Sequence, residues 1–143
     1  MKGQRWKVWL AGLLCAVVMD AAAQTAAPPP GSAWRLVMLV RDGQEQTPPA
    51  LVTLEFPGKG GVAGSAGVNR YTGQVRVEPD GTLRWSARGL ASTRMAGEPE
   101  AMAFEARYLH ALMRATSARV GEDGRLVLED ADGTRWLLFD PEP

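Results

Sequence analysis

Gly61-Val62-Ala63-Gly64-Ser65-Ala66-Gly67-Val68-Asn69-Arg70-Tyr71-Thr72-Gly73 reads as a strand of small residues running into a tight polar turn. Gly64 and Gly67 are expected to remove side chains where another backbone approaches, and Gly73 to supply a positive φ at the turn exit. A second unusual stretch follows, Gly89-Leu90-Ala91-Ser92-Thr93-Arg94-Met95-Ala96-Gly97. The rest of the chain is read outward from these two.

Most of it has period two. Trp34, Leu36, Met38 and Val40 alternate on one side of a first strand, with Val37 and Leu39 on the other. A polar loop is expected over 41–49, one place where an adaptor or inhibitor could act. A second strand covers 51–56 with Val52, Leu54 and Phe56 inward. Pro57-Gly58-Lys59-Gly60 is turn chemistry leading into a strand over 61–66. Strands over 74–78 and 83–87 flank the hairpin signal Pro79-Asp80-Gly81. Short strands over 118–120, 125–129 and 136–139 are separated by Glu122-Asp123-Gly124 and Asp132-Gly133. Trp85 and Trp136 lie on short strands, as core residues or as part of a surface patch.

One segment breaks the rhythm. Pro99 suits the first position of a helix, and 101–115 has helical spacing. Met102, Ala106, Leu109 and Met113 form a stripe that Phe104, Tyr108 and Leu112 widen; Arg107, His110 and Arg114 fall opposite. Glu105 lands inside the apolar arc. Buried there it needs a partner, and Arg70 and Arg94 are the candidates; at the rim it would reach water instead. Strands, one helix, then strands predict an α+β fold: a strongly curved antiparallel sheet, a half-barrel, wrapped around one helix.

With 143 residues there is room for one domain. Lys2, Arg5 and Lys7, an apolar run over 8–19 and Ala21-Ala22-Ala23 predict a signal peptide over 1–23, cleaved after Ala23. The product would be periplasmic or secreted, with no transmembrane segment, since the apolar run is too short to span a bilayer. The only cysteine, Cys15, follows Leu14 rather than the small residue a lipobox needs, so a lipoprotein is not expected. A Pro-rich linker over 24–32 is read as a spacer that buries nothing, with the domain over 33–140. The mature chain keeps thirteen basic and fifteen acidic side chains, with no basic stripe, so nucleic acid is not an expected partner. A monomer is expected.

Beyond period and charge, the chain resembles the META domain, or HslJ-like, proteins of bacterial envelopes. The matching pieces are Trp34-Arg35-Leu36, Leu54-Glu55-Phe56, the run from Gly64 to Gly73, Gly89 to Met95, Glu105 with Leu109 and Leu112, and Leu126-Val127-Leu128. They span 33–139. Many members carry cysteine just before the Asn-Arg pair and again just after Thr-Arg-Met-Ala; Val68 and Gly97 stand there in this chain. Their joint absence implies that the two positions are neighbours and argues against thiol chemistry. The resemblance implies a curved sheet around the helix, an envelope location and a link to heat shock and envelope stress, but no reaction.

The residues point away from catalysis. His110 is the only histidine, and Ser65 in Ala63-Gly64-Ser65-Ala66-Gly67 misses the nucleophile-elbow pattern. Gly58-Lys59-Gly60-Gly61-Val62-Ala63 lacks the helix that a dinucleotide site requires. Glu129-Asp130-Ala131-Asp132-Gly133 has too few oxygen ligands in sequence for a calcium loop. No catalytic residue, metal site or cofactor is therefore expected. The candidate cluster is Asn69, Arg70, Tyr71, Thr93, Arg94, Met95 and Glu105, either as a structural clamp or as a recognition surface. The expected function is non-enzymatic stress support through an envelope protein partner. The alternative is binding of a small molecule or lipid, a small apolar ligand in an apolar cleft between sheet and helix.

Overall fold

The computed structural model describes residues 26–143. The expected signal peptide, with Cys15 and the cleavage site after Ala23, lies outside the described residues. Among the described residues nine strands are formed: β1 (Ala33–Arg41), β2 (Gln44–Gln46), β3 (Thr53–Glu55), β4 (Gly61–Ser65), β5 (Arg70–Val77), β6 (Leu83–Ser92), β7 (Ala115–Val120), β8 (Leu126–Asp130) and β9 (Arg135–Pro141), with helix α1 (Pro99–Arg114) between β6 and β7.

All pairings are antiparallel. The sheet runs β6-β5-β4-β3-β1-β9-β8-β7, with β2 paired to β1 off that path. Its two ends meet: Thr82 bridges Ser117, and the Ala118 N–H donates to the Gly81 carbonyl at 2.7 Å. The sheet therefore nearly closes around α1, which is the α+β half-barrel expected from the sequence carried further round. Trp34, Leu54, Phe56, Leu126 and Phe139 pack the interior with Tyr108 and Leu112 of the helix.

Three expectations change. A register shift between Leu36 and Met38 interrupts the alternation of β1, so that Leu39 instead of Met38 is buried after Trp34 and Leu36. The loop over 41–49 contains β2, folded back on β1 through Asp42 and Gly43, both at positive φ. The buried face of α1 is Phe104, Glu105, Tyr108, Ala111 and Leu112. The expected stripe is displaced, with Ala106 exposed and Met113 48% exposed. The rotation follows from polar anchoring: Glu105 finds hydrogen-bond partners in the turn between β4 and β5 and Tyr108 finds one on β5, and satisfying them fixes which side of the helix turns inward.

The linker is also more than a spacer. Ala26 exchanges two backbone hydrogen bonds with Val120, at 3.1 and 2.6 Å, Phe56 donates to Ser32 at 3.0 Å, and Pro28 is buried. Trp34 Nε1 donates to Ser32 Oγ at 2.9 Å. Pro30 and Gly31 form a turn, closed by the Ser32 N–H on the Pro29 carbonyl at 3.2 Å, and the strap supplies a partner to part of β7.

Candidate functional site

The stretch from Gly61 to Gly73 forms β4, a turn and the start of β5. Gly64 lies where expected for a close approach, since a Cβ there would collide with the Thr53 carbonyl and the Tyr71 hydroxyl. The other two glycines exchange roles. Gly67 carries the positive φ, at 113°, whereas Gly73 is the close approach, where a Cβ would come within 2.5 Å of Leu90 Cδ2. The Ala66 N–H donates to the Asn69 carbonyl at 2.8 Å and closes the turn.

That turn aims two successive backbone N–H groups at the helix. Val68 and Asn69 donate to Glu105 Oε1 at 3.2 and 2.6 Å, and Asn69 Nδ2 donates to Oε2 at 2.8 Å. Glu105 is 6% exposed. The carboxylate is buried as the periodicity suggested, but the arginine pairing is not formed: Arg70 and Arg94 are exposed and neither makes an ion pair with Glu105. Alternation explains Arg70, which sits between inward Asn69 and Tyr71 and so points out. Neutral donors hold the anion without desolvating two guanidinium groups, a costly step in a low-dielectric interior.

Asn69, 2% exposed, is the hub. Its Nδ2 also donates to the Met95 carbonyl at 3.1 Å, while Oδ1 accepts from Thr93 Oγ1 at 2.9 Å and the Met95 N–H at 2.6 Å. Both donors and both lone pairs of the amide are used. Thr93 Oγ1 in turn accepts from the Arg70 N–H at 3.2 Å, and the Thr93 N–H donates to the Arg70 carbonyl at 3.0 Å. One side chain thus ties the turn, the loop after β6 and α1 together.

Tyr71, the remaining member of the cluster, faces the core. Its hydroxyl donates to the Thr53 carbonyl at 2.6 Å and lies 2.7 Å from the Tyr108 hydroxyl. With its one proton given to the carbonyl, Tyr71 must accept from Tyr108. The rings are tilted at 60°, centroids 5.8 Å apart. Burial pushes both phenols well above their ordinary value of 10, which keeps them neutral. Tyr108 and Thr53 were absent from the sequence-derived cluster; the signal for Tyr108 was available, because a buried tyrosine hydroxyl needs a partner.

The structure brings Asn69, Tyr71, Thr93, the Met95 backbone and Glu105 together and leaves the side chains of Arg70, Arg94 and Met95 on the surface. Val68 and Gly97 are neighbours, as their joint departure from cysteine implied: a Cβ on Gly97 would lie 2.6 Å from Val68 Cγ2. Asp130 caps the β8–β9 turn, accepting from the Thr134 and Arg135 N–H groups at 3.1 and 3.3 Å. Among the described residues, no three His, Cys, Asp or Glu side chains are grouped to hold a metal, and no helix is long and apolar enough to cross a membrane.

A family model for the META domain matches residues 27–143. The chain belongs to the META domain family. No curated protein matches it. Among solved structures this META domain is similar to an NMR structure of a protein from Burkholderia xenovorans, at 26% identity and a TM-score of 0.64, with 81% of this chain and 92% of that one covered. The match begins inside the strap, before the Ala33 boundary expected from the sequence. In this META domain the Asn-Arg-Tyr and Thr-Arg-Met pieces meet through Asn69, so the two most distinctive stretches form one hydrogen-bonded unit with the helix.

Proposed function

We propose that the chain is an exported, non-enzymatic META-domain protein that supports envelope and heat-stress tolerance by binding another envelope protein. The observation that carries this reading is the loop over 93–98, between β6 and α1. Every residue in it is exposed, yet Asn69 clamps it from beneath through Thr93 and Met95. Met95 is 57% exposed, with Arg94 beside it and Arg70 on the adjoining strand. A loop already held in one conformation loses little entropy on docking, and an apolar side chain flanked by guanidinium groups suits an acidic, partly apolar protein surface.

Two features support a non-catalytic role. The buried polar groups of the cluster are consumed by one another, and burial holds both tyrosines neutral. The space between sheet and helix is occupied by Tyr108, Leu112 and Phe139, which favours protein binding over an apolar ligand held in that space.

The test places a photocrosslinking amino acid at position 95 in the exporting host under heat stress, with position 59, in the exposed turn before β4, as the control. A discrete envelope adduct from 95 and none from 59 supports the reading; no adduct at 95, or the same adducts from both, defeats it. Recovery of a mature chain beginning at Gln24 in the envelope fraction checks export separately.

A further inference from the structure

We propose that the mouth of the barrel, between α1 and the paired ends of β1 and β9, binds a small amphipathic anion: a carboxylate or phosphate monoester with a short apolar body. This does not rest on the protein-binding reading, which uses a different surface. A cleft of about 300 Å³ is lined there by Leu39, Arg41, Arg107, His110, Ala111 and Arg135. Leu39 pairs with Leu137, and both are buried. The next rung on the same face of the sheet sets Arg41 opposite Arg135. Where the alternation calls for another apolar pair, two guanidinium groups stand side by side, and like charges directly opposed destabilise a sheet.

From the helix, Arg107 and His110 border the same cleft one turn apart. No carboxylate lines the cleft itself, although Asp130 accepts from the Arg135 backbone N–H at 3.3 Å. Asp42 meets Arg41 at 3.8 Å with both side chains at least half exposed, while Glu45 and Glu100 border Arg107 in a neighbouring recess without an ion pair. Neither Arg107 nor Arg135 has an ion-pair partner among the described residues. Beneath these cations Leu39 and Ala111 form a buried apolar floor. Guanidinium groups bind carboxylate and phosphate in bidentate fashion, the floor takes the apolar body, and the volume suits a small ligand.

Octanoate, octyl phosphate, octanol and inorganic phosphate are titrated separately into the mature protein and followed by amide NMR. Octanoate or octyl phosphate should shift resonances of 106–111 and 135–137 saturably, and the two anions distinguish a carboxylate from a phosphate source. Octanol should not do so, and inorganic phosphate should bind more weakly than octyl phosphate. Arg41→Gln and Arg135→Gln should each weaken anion binding by about tenfold or more while leaving the denaturation midpoint unchanged or raised, because each relieves the opposed charges. No saturable shift with either anion overturns the proposal. So does an equal response to octanol, inorganic phosphate binding as tightly as octyl phosphate, affinity unchanged in both variants, or a lowered midpoint in both.

Discussion

A buried hydroxyl has one proton to give, and at the Tyr71–Tyr108 contact its direction can be assigned. Tyr71 gives to the Thr53 carbonyl and receives from Tyr108. Tyr71→Phe therefore strands two groups, the Thr53 oxygen and the Tyr108 hydroxyl, whereas Tyr108→Phe removes only a donor to Tyr71. At about 1–3 kcal/mol per stranded buried group, Tyr71→Phe should lower unfolding free energy clearly more than Tyr108→Phe, read as paired denaturant curves. The phenols also set an alkaline limit. Their folded pKa values lie above the unfolded value of 10, so stability is intact below pH 10 and falls as the unfolded state begins to ionise. Each contributes a slope of about 1.4 kcal/mol per pH unit. The fall above pH 10 should be shallower in Tyr108→Phe, and an unchanged alkaline slope would remove the assignment.

Between elements, the decisive join is Glu105 of α1 with the turn before β5. Glu105→Ala leaves two backbone N–H groups and one amide N–H without their acceptor, and should cost about 3 kcal/mol or more at about 1–3 kcal/mol per stranded buried donor. Arg70→Ala, Arg94→Ala and His110→Ala remove exposed side chains and should each stay within about 0.5 kcal/mol. Denaturant midpoints on the four variants decide this, and an arginine variant as damaging as Glu105→Ala would restore the ion-pair reading. The join also marks what could be read in advance. Helical periodicity placed Glu105 in the apolar arc, and the glycines marked the turn, so the two partners were visible. The bonds between them were not, because two of the three donors are backbone N–H groups, which carry no letter in the sequence. The rotation of α1 escaped for the same reason: its inward face was chosen by hydrogen bonds to residues distant in sequence.

Across the whole molecule, the strands, the hairpins and the enclosed helix were legible because period two and turn chemistry act locally; closure of the sheet and the role of the strap depend on contacts between segments far apart in sequence. β7 pairs with β8 on one side, while its other side is met by Gly81 and Thr82, by the Trp85 indole donating to the Ala115 carbonyl at 2.8 Å, and by Ala26 at Val120. An edge strand left unpaired is a template for association, so the strap works both for stability and against self-pairing. A chain beginning at Ala33 loses the Ala26–Val120 exchange and the bonds linking Gly31 and Ser32 to Phe56. Relative to a chain beginning at Gln24, it should lose about 2–4 kcal/mol at about 1 kcal/mol per bond and associate increasingly with concentration. The full-length variant Ala26→Pro deletes one donor and keeps the strap, so its loss should be about 1 kcal/mol. Chemical denaturation and sedimentation velocity on all three chains read both effects, and equal midpoints with concentration-independent sedimentation would mean that the strap rests on the barrel without closing it.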